Sequence, residues 1–108
     1  RLVREVYRIS AAFPESERFG LTSQIRRSAV SVPSNIAEGA ARGSRADLIR
    51  FLIIARGSLA ELDTQVWIAR DLGFLADGTA MQDSIQLLLA RMNALISSNR
   101  SRLTKGTR

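Results

Sequence analysis

Arginine is the residue type in this sequence best suited to binding chemistry. The chain has sixteen basic residues, and only Lys105 is a lysine. A guanidinium group presents a planar set of donors that can hold a phosphate or a carboxylate with two hydrogen bonds. The candidate surface for a nucleic acid or another partner therefore consists of Arg26, Arg27, Arg42, Arg45, Arg50 and Arg56. GC-rich coding DNA also favours arginine codons, and this explanation of the bias stays open.

The charge is distributed unevenly along the chain, which carries +6 in total. Residues 21–58 contain six arginines and two acids, whereas residues 59–90 contain one arginine and five acids. Residues 91–108 contain five basic residues and no acid. Basic segments of this kind attract nucleic acid or another acidic partner. The basic segment could equally contact the acidic segment of a second copy of the chain.

Polar side chains form a stripe along the segment from Gln24 to Arg42. The apolar and small residues of this segment step by three or four, as on one face of a helix, and a polar series follows beside them. That polar series is Gln24, Arg27, Ser31, Asn35, Glu38 and Arg42. It could be a solvated face, a hydrogen-bonded network within the bundle or at a seam between subunits, or a ligand contact. We favour the network, with Trp67 as a further candidate at an oligomer seam.

Two glycine-containing positions add weaker hypotheses. The turn from Ala41 to Arg45 precedes a helix, and a helix N-terminus flanked by arginines can bind phosphate. A tight turn between helices is the simpler interpretation, because Asp47 would compete with an anion. Gly57 lies inside a predicted helix, where glycine costs about 1 kcal/mol relative to alanine. It predicts the close approach of another helix, from the same chain or from a neighbour.

The residues that are absent exclude several classes of function. The chain has no histidine and no cysteine, so the usual general base, zinc ligands and thiol nucleophile are missing. Its ten acids are scattered, and no phosphate-loop motif is present. We therefore expect no enzyme, no cofactor, no metal and no small-molecule substrate. No apolar run reaches the roughly 18 residues of a membrane span, and the lack of cysteine makes a cytoplasmic location the default expectation.

Four amphipathic segments must position these residues. The patterns predict helices over about Leu2–Ala12, Thr22–Arg42, Ser44–Leu72 and Thr79–Ile96, with Pro33 kinking the second. Thr22 is the expected N-cap of the second helix, and Ser44 to Asp47 and Thr79 to Gln82 resemble capping boxes. Residues 1–96 are predicted to form one domain, and residues 97–108 a frayed basic tail.

Hydrophobic spacing predicts the core. In the third helix, steps of four and three give a heptad seam of Leu48, Leu52, Ala55, Leu59, Leu62, Val66 and Ala69. In the fourth helix the seam is Met81, Ile85, Leu88, Met92 and Leu95, broadened by Leu89 and Ile96. The four phenylalanines are expected to pack inside: Phe13, Phe19, Phe51 and Phe74. A basic surface without exposed aromatic rings suits phosphate contacts and not the stacking of bases.

Two segments carry a resemblance to a known family. FPESERFGLTSQIRRSAVSVPSNIAEGAARGS at residues 13–44 and FLIIARGSLAEL at residues 51–62 resemble the four helix bundle protein family, also called the 23S ribosomal RNA intervening-sequence protein family. The resemblance implies an up-down helical bundle, and relatives form ring-shaped homopentamers. Some relatives are encoded inside ribosomal RNA insertions, and distant ones assist a reverse transcriptase and its RNA template. The family motif falls on Asn35, Glu38 and Gly39.

These observations lead to one prediction for the fold and two for the function. We expect an all-α, antiparallel up-down four-helix bundle that self-associates, with a pentamer favoured by the resemblance. The leading hypothesis is a non-catalytic oligomer that binds RNA or an RNA-associated protein through its basic surface. The alternative is a structural or protein-partner scaffold that does not bind nucleic acid.

Overall fold

The computed structural model describes residues 1–106 and the side chains of residues 1–104, all within an all-helical fold. Its elements are α1 (Leu2–Ser10), a 3-10 turn (Glu15–Glu17), α2 (Leu21–Ala41), α3 (Arg45–Asp71) and α4 (Thr79–Gly106). The predicted all-α class with four helices is confirmed, and residues 1–106 contain no strand. None of the helices in this range is long and apolar enough to cross a membrane.

The second helix begins differently from the prediction. Gly20 is its N-cap and makes no side-chain cap, so the expected cap at Thr22 is wrong. The Oε1 atom of Glu17 instead accepts a hydrogen bond from the backbone N–H of Leu21 at 3.0 Å. Pro33 lies inside a single helix, as favoured from the unbroken apolar stripe. A change of direction at Pro33 stays a prediction.

The turn between α2 and α3 has the expected local chemistry. Gly43 adopts a left-handed conformation (φ 81°), which glycine reaches without the steric cost of a side chain. Ser44 is the N-cap of α3, and its Oγ accepts a hydrogen bond from the backbone N–H of Asp47 at 3.1 Å. The predicted N-cap at Ser44 is therefore confirmed, and α3 starts at the next residue, Arg45.

The third helix ends in a Schellman motif. Gly73 again has positive φ (78°). The backbone N–H of Phe74 donates to the carbonyl of Ala69 (2.9 Å), and that of Gly73 donates to the carbonyl of Arg70 (3.0 Å). These bonds satisfy carbonyl groups that a helix end leaves free. They also turn Phe74 back onto Phe13, with ring centroids 5.9 Å apart.

The fourth helix corrects two predictions. Its first turn is capped by Asp77, whose Oδ1 accepts from the N–H of Thr79 at 2.9 Å, while the side chain of Gln82 bonds Arg70. The expected box from Thr79 to Gln82 is therefore not formed. The helix also continues to Gly106, through most of the segment expected to fray. Thr107 and Arg108, the end of that segment, lie outside the described residues.

The core lies along α3, which packs against α2 on one side and α4 on the other, while α1 packs against α2. The predicted α3 seam is confirmed from Leu52 to Ala69, although Ile49 is buried where Leu48 is only half-buried. In α4 the prediction of Leu95 is wrong: it is 47% exposed, and Ile96 next to it is 2% exposed. Fully burying such a side chain contributes about 1.5–3 kcal/mol.

Hydrogen bonds between helices show how α2 and α3 are matched. As residue numbers rise along α2, the numbers of their partners fall along α3. Ser28 Oγ donates to Glu61 Oε1 at 3.0 Å, and the hydroxyl oxygens of Ser31 and Ser58 are hydrogen-bonded at 2.7 Å. Farther along α2, Gly39 lies against Phe51. Polar bonds also join α3 to α4, among them Arg56 to Asn93 at 3.0 Å.

Candidate nucleic-acid interface

A basic groove opens between α1 and the first half of α2. Its volume is about 620 Å3. The lining residues are Tyr7, Arg18, Phe19, Thr22, Ser23, Arg26, Arg27, Val30 and Ser31. We call this set the α1–α2 groove. Its lining contains three guanidinium groups and no carboxylate, so the groove favours an anionic ligand.

The start of α2 fixes the groove at one end. Glu17 folds its carboxylate against the N-terminus of α2, where it accepts from the N–H of Leu21. The backbone N–H of Gly20 donates to the carbonyl of Glu17 at 3.0 Å. A side chain at Gly20 would be crowded, because an added Cβ would lie 2.8 Å from Glu17 Oε1. Arg18 and Phe19 are thereby held on a defined backbone beside the groove.

Two of the predicted arginines, Arg26 and Arg27, lie in this groove. The Nε atom of Arg26 donates to Ser10 Oγ at 2.8 Å, and its guanidinium carbon lies 4.6 Å from the centre of the Tyr7 ring. Arg27 is exposed and donates to Ser23 Oγ at 3.3 Å. Among the side chains of residues 1–104, neither has a carboxylate as a hydrogen-bond or ion-pair partner. Both charges therefore remain available to a ligand.

Sequence reasoning missed the aromatic and third basic members of the groove. Phe19 was expected to pack inside, but it is 89% exposed. Arg18 lies over its ring, 5.4 Å from the centroid, and makes a 3.5 Å ion pair with Glu15 in which both side chains are exposed. Tyr7 is exposed as well. The expectation of a basic surface without exposed rings is therefore wrong. The sequence signal that could have revealed an exposed ring was the position of Phe19, in a loop between Arg18 and Gly20 and outside any helical stripe.

The other four predicted arginines lie elsewhere. Arg42 and Arg50 flank the Phe51 ring, at 5.0 and 4.9 Å from its centre, and pair with Glu38 (3.3 Å) and Asp47 (3.5 Å). Arg45 donates to Asn99 Oδ1 at 2.6 Å, and Arg56 donates to Asn93. At 1.5 Å per residue, Arg42 is about 24 Å along α2 from Arg26. The six arginines thus form separate groups and not one surface.

The polar stripe is divided between the inside of the chain and its surface. Ser31 and Ser58 share a hydrogen bond, and the Nδ2 atom of Asn35 donates to both the carbonyl (2.8 Å) and the Oγ (2.9 Å) of Ser31. Gln24 and Glu38 are exposed, and Trp67 on α3 is 60% exposed. The middle of the stripe is therefore a network within one chain, while its ends face outward.

A second, more polar cleft lies between α2 and α3, with a volume of about 340 Å3. It is lined by Gln24, Arg27, Ser28, Ser31, Ser58, Glu61 and Gln65. Ser28, a serine of the polar series beside the apolar stripe, and Gln65, which sequence reasoning missed, are both buried. The Oε1 atom of Gln65 is buried without a hydrogen-bond partner in the described part of the chain. Arg27 lines both this cleft and the α1–α2 groove.

The turn from Ala41 to Arg45 offers little to an anion. The side chain of Ser44 already accepts the N–H of Asp47, and Asp47 pairs with Arg50. The simpler interpretation of this segment, a tight turn between two helices, agrees with this arrangement.

Gly57 is not approached by another helix of the chain, because a Cβ added there would meet no atom within 4 Å.

Carboxylates near the groove pair with arginines: Glu15 with Arg18 of the groove, and Glu5 with Arg8 outside the lining. Glu5 accepts from Arg8 Nη2 at 2.7 Å, and this hydrogen bond lowers the pKa of Glu5 and raises the pKa of Arg8. Within residues 1–106, no group of three or more carboxylates is placed to hold a metal ion. Arg26 and Arg27 therefore supply the positive charge of the groove.

Comparison with curated proteins gives no match. Comparison with protein families gives one family whose model covers residues 1–98, described as the 23S rRNA-intervening sequence protein. The match extends over nearly the whole chain and confirms the resemblance of residues 13–44 and 51–62, so the chain belongs to the 23S rRNA-intervening sequence protein family.

Proposed function

We propose that this protein is a non-catalytic homo-oligomer that binds RNA, or an RNA-associated partner, through the α1–α2 groove. One observation carries the proposal: Arg18, Arg26 and Arg27 share an open groove whose lining has no carboxylate. The family description, which refers to a ribosomal RNA insertion, adds support.

The groove suits phosphate groups for a physical reason. Arg26 uses its Nε atom to bond Ser10, so its two terminal nitrogens are not needed for that bond. A guanidinium held in place loses less conformational entropy when it binds a phosphate oxygen. Release of counterions from the nucleic acid would provide much of the affinity, so binding should weaken steeply as salt rises.

A non-catalytic role is supported by what the acidic groups do. The chain contains no histidine or cysteine. Glu17 caps α2, Glu61 accepts from Ser28, and Asp77 caps α4. These carboxylates act within the fold, and we propose no catalytic residue. A cytoplasmic location stays a prediction from the sequence.

Self-association is proposed on the outer side of α3. Here exposed apolar and small residues recur at helical spacing: Ile54, Gly57, Thr64, Ile68 and Leu72, with Trp67 beside them. We call this set the outer face of α3. A second copy of the chain is the proposed occupant, since the basic residues 21–58 and the acidic residues 59–90 are complementary in charge. The family resemblance favours a pentamer.

The finer architecture is part of the same proposal. We propose an antiparallel up-down bundle with a kink at Pro33. The opposite order of residue numbers in the Ser28–Glu61 and Ser31–Ser58 bonds supports the antiparallel arrangement of α2 and α3. Pro33 removes one backbone hydrogen bond inside α2, which supports the kink.

The test is RNA binding measured by fluorescence anisotropy over a salt series. We compare the wild-type protein with the double variant Arg26→Gln/Arg27→Gln. Arg91→Gln, at an exposed arginine of α4 outside the groove, is the control for lost charge. We expect the double variant to lose about tenfold or more in affinity at low salt, and its salt slope to fall by about 1.4 for single-stranded RNA. Arg91→Gln should stay close to wild type.

Two outcomes would contradict the proposal. If Arg91→Gln, which removes one charge, lost half as much binding free energy as the double variant, which removes two, binding would depend on total charge and not on the groove. The absence of RNA binding at low salt, with the oligomer intact, would favour the alternative function, a scaffold that does not bind nucleic acid.

A further inference from the structure

We propose that the α1–α2 groove selects unpaired nucleotides, with a base stacked on Phe19 and the adjoining phosphates on Arg26 and Arg27. This inference rests on the proposed RNA-binding function and names its ligand class as single-stranded RNA. It is carried by the position of Phe19, which the fold itself does not use.

Phe19 has no packing role that accounts for its position. Phe13 closes the same loop by contacting Phe74, and the neighbouring Leu21 is buried in the core. Phe19 itself is 89% exposed. A single exposed apolar residue is ordinary on a protein surface. This one differs because it shares a groove with Tyr7 and three arginines.

The backbone around Phe19 is fixed, which favours recognition by a rigid ring. On one side Arg18 closes the 3-10 turn, with its N–H bonded to the carbonyl of Glu15 at 3.1 Å. On the other side the backbone N–H of Gly20 donates to the carbonyl of Glu17, and Gly20 is the N-cap of α2. An aromatic ring on an ordered backbone loses little entropy when a ligand stacks on it.

The electrostatics of the ring also suit a base beside a phosphate. Arg18 lies over the ring, and the large exposed fraction of Phe19 leaves room for a base on the ring surface away from that guanidinium. The contact between Arg26 and Tyr7 repeats this pairing of a cation with a ring inside the same groove. Alternating rings and cations are the features with which proteins bind single strands.

The same groove offers little that would read base identity. Its uncharged polar side chains are the hydroxyl groups of Thr22, Ser23 and Ser31, together with that of Tyr7. Stacking tolerates every base, because each has an aromatic face. In a duplex the bases are already stacked on one another, so a duplex could use only the phosphate contacts. We therefore expect selectivity for unpaired strands with weak sequence preference.

The experiment uses the full chain in its assembled form and two RNA probes of equal length, one unpaired and one a blunt duplex. We expect the unpaired probe to bind about tenfold more tightly than the duplex. Phe19→Leu keeps apolar bulk but removes the aromatic face, and should lose about tenfold for the unpaired probe only. Phe19→Tyr should retain the affinity. The matched control is Leu87→Ala, an exposed apolar residue of α4, which should leave both affinities unchanged.

A second readout follows the stack directly. A 2-aminopurine base in the unpaired probe should be quenched on binding to the wild-type protein, and this quenching should be lost in Phe19→Leu. The salt slope should stay unchanged in Phe19→Leu, because no phosphate contact is removed.

The outcomes separate this inference from the proposed function. If Phe19→Leu keeps both affinity and quenching while Arg26→Gln/Arg27→Gln loses binding, the stacking inference is wrong and the basic groove stands. If Phe19→Leu instead lowers the mass of the assembly without changing RNA affinity, the ring is a subunit contact and the inference is again wrong. Failure of the wild-type protein to bind either probe would overturn both proposals.

Discussion

Gly39 of α2 lies directly against Phe51 of α3. A Cβ atom added at Gly39 would lie 2.7 Å from the Cβ of Phe51 and 3.4 Å from the Cα of Leu48. Contacts this short to a Cβ and to backbone cannot be relieved by rotating a flexible side-chain end. The absence of a side chain at Gly39 therefore sets how closely the two helices approach.

Gly39→Ala should destabilise the protein. Overpacking costs about 1–3 kcal/mol, and the better helix propensity of alanine offsets about 1 kcal/mol of this. We expect a net loss of about 1 kcal/mol in the free energy of unfolding, with up to about 2 kcal/mol where the helices cannot separate. Urea denaturation at one fixed protein concentration measures the change.

The control for this substitution is Ser34→Ala on the same helix. Ser34 is exposed, so its replacement should change stability by no more than about 0.5 kcal/mol. A Gly39→Ala protein as stable as wild type would show that α2 and α3 can move apart at this point.

The bond between Ser31 and Ser58 should be measurable as a coupling between α2 and α3. A double-mutant cycle with Ser31→Ala and Ser58→Ala should give a coupling free energy of about 0.5–1.5 kcal/mol. Their oxygens are 2.7 Å apart within one chain, so the coupling should not depend on protein concentration. The same cycle with Ser34→Ala and Ser58→Ala should give a value near zero. A coupling that appears only in the assembled form would place the bond between chains instead.

The apolar seam of α3 could be predicted because it depends on spacing alone. Leu52, Leu59 and Val66 recur every seven residues, and all three are fully buried. The α4 prediction failed at Leu95 because the buried positions step by four residues from Met92 to Ile96 and not by three to Leu95, and one face of a helix allows either step. Ile96, one step of about 100° away, is the residue that faces the core.

Other features depend on contacts that no local pattern contains. The helical continuation past Ile96 is held in part by Asn99, which is buried, accepts from Arg45 and donates to the carbonyl of Leu95 at 2.8 Å. A search for apolar periodicity passes over a buried polar residue. Likewise, a loop aromatic such as Phe19 can face inward or outward, and here Phe13 packs against Phe74 while Phe19 is exposed. The six predicted arginines lie in separate groups because each one contacts a different set of neighbouring side chains.

Gly57→Leu should weaken self-association without weakening the fold of the chain. The side chain would enter open space within the protomer, yet it would obstruct a second chain on the outer face of α3. We expect the mass measured by light scattering to fall towards 11.9 kDa, the mass of one chain, while the far-ultraviolet circular dichroism stays unchanged. Ala94→Leu, at an exposed small residue of α4, is the matched control and should keep the wild-type mass. Unchanged mass in Gly57→Leu would exclude this face as the seam.

Asp77 should make the stability of α4 depend on pH in the acidic range. The backbone N–H of Thr79 donates to its carboxylate at 2.9 Å, and this bond lowers the pKa of Asp77 in the folded protein. A lowered folded pKa means that the stabilising contribution is fully present above the ordinary value of about 4 and is lost as the pH falls through the folded pKa.

Asp77→Asn keeps an acceptor oxygen but removes the charge, so the variant should melt at a lower temperature than wild type near neutral pH. The difference should shrink at an acidic pH below the lowered folded pKa, where the wild-type carboxyl is protonated. The control is Asp83→Asn, at an exposed acid within α4, which should melt close to wild type near neutral pH. A melting-temperature difference for Asp77→Asn that is equal at both pH values would mean that the charge of Asp77 does not stabilise the helix N-terminus.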